Sequence, residues 1–380
     1  MSSLEQHAQA ITDHLQNHIK EHGAMSFFDY MQFALYEPGL GYYSAGLHKF
    51  GPSGDFITAP EISALFSYSI AKQCREVLAT LPQGDILEFG AGSGQMACDI
   101  LWYLQENQAL PQHYYILEIS PDLRQRQQEK LAATLPDFID RIIWLDTLPE
   151  TFNGIMLANE VLDAMPVHLF EWNHQTLKEA YVTLEKNKLT WHFDTPTSTL
   201  QNAFEHLKKD INTNQWPEPY RSEINTLMPG WIKSVANCLN QGVLLMIDYG
   251  YPSNAYYHPQ RNTGTLMCHH QHKAHSDPLI HCGLQDITAH VDFSLATESA
   301  VNAGLTLEGY TNQSSFLINC GIHHFLTDIK QPEKRPNESA AVKKLLFPGA
   351  MGELFKVIAF SNNYEACLMG FAENDLSRGL

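Results

Sequence analysis

The sequence predicts an α/β protein built on a doubly wound, mostly parallel sheet, with an N-terminal helical segment and two insertions that form a lid or second lobe. Three observations predict it. From residue 85 short apolar runs alternate with helical ones: DILEF, GQMACDILWYLQ, YYILEI, PDLRQRQQEKLAATL, RIIWL, GIMLAN. Helices between short, continuously apolar strands are the pattern of parallel strands buried on both faces. The first strand runs into ILEFGAGSG, residues 86–94, with glycine at three alternate positions, the composition of a turn that lets a ligand approach the backbone. Further apolar runs, GVLLMIDYG near 242, then LTLEGYT and ELFKVIAFS, supply another strand and a closing strand pair.

Taken in order, residues 4–21 and 25–35 carry apolar side chains at helical spacing. EPGLGYYSAGLHKFGPSGDF is a Gly/Pro-rich loop with aromatics, and SALFSYSIAKQCREVLATL reads as a helix with Pro60-Glu61 near its start. The helix PDLRQRQQEKLAATL has Pro at its first position, where the missing N–H is not needed. Between about 165 and 240 the alternation breaks. HLFEW, EAYVTL and KLTWHF read as antiparallel strands, followed by helical sequence through MPGWIKSVANCLNQ. A second insertion, rich in His, Gly and Pro, lies between Asp248 and a helix near 288. The expected organisation is 1–80 as N-terminal helices and a cofactor-covering loop, 81–164 as a Rossmann-like cofactor-binding core, and 165–241 as an insertion. Residues 242–380 complete the sheet and carry a His-rich insertion at 250–285.

The chain has 380 residues, 44% of them hydrophobic, enough for a sizeable core. With 42 acids against 24 bases, its formal charge is −18. That excludes nucleic-acid binding through a basic surface and favours a cationic protein partner. No apolar run approaches a membrane span, so no membrane partner is expected. MSSLEQHAQAITDHLQ has neither an apolar signal core nor the Arg-rich look of a transit peptide, and the seven cysteines form no CxxC pair. A cytoplasmic protein is expected.

A dinucleotide site needs G-x-G-x-x-G, so that a helix N-terminus can hold the pyrophosphate. Here the glycines are Gly90, Gly92 and Gly94, the third one position early. Glu88 sits badly beside a phosphate. It suits a cofactor with a positive end and no phosphate, such as S-adenosyl-L-methionine (SAM). The second strand ends in Glu118, where an acid can accept bonds from both ribose hydroxyls of SAM or NAD alike. The third ends in WLD, and Asp146 either reaches an adenine amino group or is a solvated loop acid.

LANEVLDAMP, residues 157–166, follows the fourth strand. In open α/β sheets ligands sit at the carboxyl ends of the central strands. Asn159 and Glu160 leave the strand at that edge, facing the acceptor. An acid there can hold a cationic nucleophile or take its proton; the competing reading is a helix N-cap. Asp248 and Tyr249 end the next strand at the same edge, and Tyr249 either stacks on substrate or packs. His290 and Asp292 read as the first turns of a helix facing the cleft, or as a core-edge His and a cap. CHHQHKAHSDPLIHC places His269, His270, His272, His275 and His281 between Cys268 and Cys282. That spacing fits no standard zinc pattern, so no metal is expected, and the stretch reads as a loop over the acceptor pocket or a solvated turn.

Over nearly its whole length the sequence resembles the MidA-type SAM-dependent methyltransferases, the family of the mitochondrial complex I assembly-factor arginine methyltransferase. The likeness runs through LYEPGLGYY (35–43), GDFITAPEIS (54–63), LEFGAGSG (87–94), ILEISPDLRQRQ (116–127), NEVLDAMPVHLF (159–170), LLMIDYG (244–250), GTL (264–266), DITAHVDF (286–293) and GELFKVIAF (352–360). GDFITAPEIS and NEVLDAMP are specific to that family; the glycine loop is shared with many methyltransferases. The family usually carries Pro and Arg where this chain has Ala91 and Ser93. The resemblance implies a class I methyltransferase fold, SAM as cofactor and, from the mitochondrial relative, symmetric dimethylation of a protein arginine. It implies Gly90, Gly92, Gly94 and Glu118 at SAM, and Asn159, Glu160 and Asp163 at the acceptor end. The segment with Gly54, Asp55, Thr58, Pro60 and Glu61 would close over the cofactor. The alternatives are a small-molecule or lipid methyltransferase, and an assembly chaperone that binds SAM without turnover.

Overall fold

Continuous apolar strands can be buried on both faces, and the central strands here are. In the computed structural model, which describes residues 3–45, 58–81, 83–329, 333 and 335–380, seven of them run side by side in the main sheet, whose eighth strand, the short Val291–Asp292, pairs with the end of Leu239–Tyr251. They are β1 (Asp85–Phe89), β2 (Tyr114–Leu117), β3 (Ile142–Leu145), β4 (Phe152–Asn159), β5 (Leu239–Tyr251), β6 (Thr306–Asn312) and β7 (Phe355–Asn362). Their order is β3-β2-β1-β4-β5-β7-β6. The first five are parallel, and β7 runs antiparallel to both β5 and β6. Along β4, Ile155 and Leu157 face one core while Met156 and Ala158 face the other. Along β5, Val243, Leu245 and Ile247 alternate in the same way with Leu244 and Met246. One face is covered by helices that include Ala64–Thr80 and Gln95–Glu106, the other by Met228–Cys238 and Phe293–Asn302. This is the doubly wound sheet expected from the alternation.

Winding reverses between β1 and β4. From β1 the chain steps outward to β2 and β3, then returns to the far side of β1. A crevice opens at such a switch point, outside the carboxyl ends of the two strands.

A second, antiparallel sheet is ordered Met25–Ser26, Thr176–Glu185, His168–Asn173, Tyr220–Ile224, with Lys188–Asp194 also paired to Thr176–Glu185. Three of these strands match the antiparallel runs read from sequence. Tyr220–Ile224 does not: it falls where helix was expected, the helix Ser198–Leu207 having already ended, and prolines 217 and 219 disfavour helix just before it. The His-rich stretch also departs from the loop expected. Met267–His270 pairs with Lys273–His275 and with Asp286–Thr288 in a third, three-stranded sheet. Helices Ser3–His22 and Phe27–Tyr36 share one core with both small sheets, through Ile11, Leu15, Phe27, Met31, Ala180, Val182 and Ile287. Pro60 and Glu61 form their own turn, Ala59–Ile62, and Ser63 caps the helix that follows by accepting from Leu65 N–H at 3.2 Å.

Gly154 and Gly242 face each other across β4 and β5. A Cβ on Gly154 would lie 2.0 Å from the Asp85 carbonyl, and one on Gly242 1.8 Å from the Gly154 carbonyl. Gly154→Ala is expected to cost about 2–3 kcal/mol, from strain plus clash. Gly230→Ala, with open space around it in helix Met228–Cys238, should gain roughly 0.5 kcal/mol. Denaturant unfolding of both variants checks the contrast.

Candidate active site

A cavity of about 740 Å³ occupies the crevice at the carboxyl ends of β1, β4 and β5. Tyr36 and Tyr43 of the N-terminal segment, and Met267, His269, Asp286 and Thr288 of the third sheet, complete its walls.

On one side lies the glycine turn. Gly90, Gly92 and Gly94 have φ of 60°, 53° and 77°, all left-handed, which is why glycine recurs there. Glu118 is buried and fixed: its carboxylate accepts from Ser120 N–H and from the Gln127 amide, both at 2.9 Å. Ile119 follows it and lines the cavity while 68% exposed. Sequence reasoning missed it; its only signal is an apolar residue directly after the strand-ending acid. Glu88 accepts from the Tyr114 hydroxyl at 2.7 Å, and burial still pushes its carboxyl up to about 7. Asp146 does not join this group. Its side chain is 85% exposed and ion-paired with Arg124 of the helix Pro121–Thr134, and it does not line the cavity.

The segment before helix Ala64–Thr80 is fastened to the glycine turn. Ser93 donates its hydroxyl hydrogen to the Glu61 carboxylate, and Lys130 Nζ lies 3.4 Å from Ser93 Oγ. Thr58 and Pro60 line the cavity; Gly54 and Asp55 lie outside the described residues. Tyr43 spans both sides: its carbonyl accepts from the Ser120 hydroxyl, and its own hydroxyl donates to Asp286 at 2.9 Å. Tyr36 donates to the Ala164 carbonyl at 2.8 Å.

On the other side β4 ends at Asn159, and Glu160 turns the chain with φ of 54°. No helix follows, only a turn and then the strand His168–Asn173, so the helix-cap reading of Asn159 and Glu160 does not hold. Glu160 N–H donates to the Ile247 carbonyl at 2.9 Å, and the Asn159 amide donates to the Glu160 carboxylate at 3.2 Å. Burial, then the neighbouring Asp163, pushes the Glu160 carboxyl up to about 8, against the Asn159 amide and the Ala59 N–H. Burial pushes Asp163 up to about 6, against the Tyr249 hydroxyl. Tyr249 lines the cavity edge-on to His290 at 5.1 Å, and His290 stacks on Tyr251 at 5.3 Å. His290 is not on a helix. It precedes the short strand Val291–Asp292, and Asp292 caps the helix Phe293–Asn302. Burial, aided by Arg261 and Lys356, lowers the His290 imidazole to about 4. In the His-rich sheet His270 stacks on His281 at 4.5 Å, and among the described residues no three metal-binding side chains converge.

Three buried polar atoms in residues lining this one cavity have no hydrogen-bond partner among the described residues: Asn159 Oδ1, Asp163 Oδ1 and His290 Nδ1.

Residues 69–311 match the family described as S-adenosyl-L-methionine-dependent methyltransferases. A Burkholderia thailandensis protein crystallised with S-adenosyl-homocysteine is 39% identical, covers 100% of this chain and 99% of its own, and superposes with a TM-score of 0.94. Two curated relatives are named "Protein arginine methyltransferase NDUFAF7, mitochondrial". The Danio rerio protein is 28% identical over 93% of this chain and 87% of its own. The Homo sapiens protein is 28% identical over 91% and 82%.

The Glu160 carboxyl has a sign to test. An unfolded Glu loses its proton near 4.5, whereas the folded one keeps it to about 8. The unfolded state therefore binds fewer protons between these values, and stability falls as pH rises through them. Glu160→Gln removes that slope. The variant is expected to match wild type below about pH 4.5 and to exceed it above pH 8 by on the order of 2 kcal/mol, part of the full linkage value because the cavity is open to water. Denaturant midpoints measured at pH 4.5 and 8.5 check it.

Proposed function

The chain belongs to the S-adenosyl-L-methionine-dependent methyltransferase family, and we propose that it methylates an arginine side chain presented by a protein partner. The observation that carries this is the orphan set. Asn159 Oδ1, Asp163 Oδ1 and, in the tautomer protonated on Nε2, His290 Nδ1 are all acceptors, and Glu160 stands among them. A guanidinium has five N–H donors and no acceptor. The names of the mitochondrial relatives point the same way.

The residues present fit the cofactor. The left-handed glycine turn leaves backbone open to the methionine portion, and Glu118, held by two donors, is available to the ribose hydroxyls. Ile119 offers an apolar face to the adenine, and Glu88 a carboxylate toward the cofactor's positive end. Glu61 ties its segment to the turn through Ser93, and Thr58 and Pro60 face the cavity beside it. Bound there, SAM supplies an electrophilic methyl group.

The chain's own task is positioning. A guanidinium stays protonated in proteins and its lone pairs are delocalised. Carboxylates on one edge draw the positive charge toward themselves and leave the far nitrogen the better nucleophile. Glu160 and Asp163 are placed for that edge. As the nitrogen gains a methyl group it must shed a proton. Glu160, ionised once the entering cation has displaced the proton its buried carboxyl otherwise keeps to about 8, is a carboxylate basic enough to receive it. Neutral His290 accepts a hydrogen bond without repelling the cation.

The test is incubation with methyl-labelled SAM and extract from cells lacking the protein, followed by hydrolysis of the labelled band. Methylarginine is expected; label in another amino acid or a small molecule overturns the reading. Gly92→Val puts a branched side chain at a left-handed position beside the cofactor, so calorimetry should find SAM binding abolished in a folded variant. Glu160→Gln should keep near-normal SAM affinity. Losing one partner of a shielded ion pair costs about 2–5 kcal/mol, so transfer should fall about 30-fold or more. Unimpaired transfer removes Glu160 from the mechanism.

A further inference from the structure

Asp248 does not line the cavity, yet it grips the turn that carries the acids. It is buried at the carboxyl end of β5. Its Oδ2 accepts from Leu162 N–H at 3.0 Å and Asp163 N–H at 3.2 Å, and its Oδ1 accepts from Tyr249 N–H at 2.9 Å. We propose that Asp248 is the positioning residue of the acceptor site: it fixes the Glu160–Asp163 turn and ties the ionisation of those two acids to the arrival of a cationic acceptor. The second half rests on the arginine reading above.

The geometric half follows from strain. Glu160 is a non-glycine residue in the left-handed region, a strained conformation that persists only where the surroundings enforce it. The Ile247 carbonyl holds Glu160 N–H, Asp248 holds the next turn at two amides, and Ala289 N–H holds the Asp163 carbonyl at 3.0 Å. Two of these three anchors are consecutive residues of β5. Both oxygens of Asp248 act as acceptors. An asparagine would turn an NH₂ toward at least one backbone N–H.

The electrostatic half follows from crowding. Glu160, Asp163 and Asp248 share one desolvated space: Asp163 raises the carboxyls of Glu160 and Asp248, and Glu160 raises that of Asp248. Three such groups titrate as a unit. The groups facing them are Tyr36 from helix Phe27–Tyr36, Tyr43 from the segment after it, Tyr249 from β5, Asp286 from the third sheet and the Ala59 N–H. The cations Arg261 and Lys356 face His290, and Arg261 stacks on Tyr251 at 4.1 Å. Without a cation beside them these acids therefore keep protons near neutral pH, and an entering guanidinium favours the ionised acids and drives those protons out.

The test is Asp248→Asn. Its stability and its methyl transfer, to acceptor-containing extract, are each followed from pH 5 to 9. Removing one carboxyl should lower the midpoint of both profiles by about one unit, and displacing the turn should cut kcat/KM about tenfold or more with SAM binding retained. A merely structural role predicts lower stability with both midpoints unmoved, and that outcome overturns the proposal, as does wild-type behaviour throughout. Should the variant not fold, infrared titration of wild type decides. Protonated-carboxyl absorption that persists above pH 6, and part of which Glu160→Gln removes, supports the coupling; no difference between the two proteins overturns it. Agmatine, titrated by calorimetry in two buffers of different ionisation enthalpy, separates the failures. If arginine is the wrong acceptor, the stability midpoint still shifts but agmatine releases no proton.

Discussion

The register of β4 between β1 and β5 is the constraint on which the rest depends. Phe89 lies opposite Ala158, and Asn159 opposite Ile247. Gly90 is therefore level with Asn159 and Ile247, and Glu160 and Asp248 come one residue later on their two strands, so the three lie within one step of each other along the sheet. The glycine turn, the acids and the carboxylate that steadies them converge because of this alignment. It is well specified, because each strand buries alternate side chains in two different cores, and a slip of one residue would exchange them.

What converges there is costly. Glu88, Glu160 and Asp163 all carry carboxyls raised by burial, and Asn159, Asp163 and His290 keep buried acceptors unpaired among the described residues. A core optimised for stability alone would hold apolar side chains at these positions. On the arginine reading proposed above, the same desolvation that weakens the fold would strengthen the cavity's hold on a donor-rich cation.

The main sheet was legible because its signals are local. Continuous apolar runs mark strands buried on both faces, and glycine at alternate positions marks a left-handed turn at 90, 92 and 94. Glu118 and Asn159 stood out for the same reason: each is the residue where an apolar run stops, and Glu160 directly follows the second. What escaped depends on distant chain. Asp146 ends its strand as plainly as Glu118 does, but Arg124 captures it. Ile119 is exposed and apolar, with nothing in its neighbours to mark it. Tyr220–Ile224 pairs with a strand some fifty positions earlier, His168–Asn173. The third sheet looks like a polar loop because only one of its faces meets the core, through Cys268 and Ile287. Helix-cap and strand-exit acids look alike in sequence, and only the turn that follows Glu160 tells them apart.

Tyr36 and Tyr43 belong to a segment made early in synthesis, and their partners come much later. Tyr43 bonds to residues 77 and 243 positions away, and Tyr36 to one 128 positions away. Loops of that length must close before these contacts contribute, which places the assembly of the cavity late and slow in folding. The N-terminal segment has to wait, exposing Ile11, Leu15 and Phe27 until the third sheet exists. A ligand stabilises only a state that can bind it. SAM should therefore protect the finished protein against unfolding yet do little for a nascent or truncated chain, whose protection in that interval falls to chaperones.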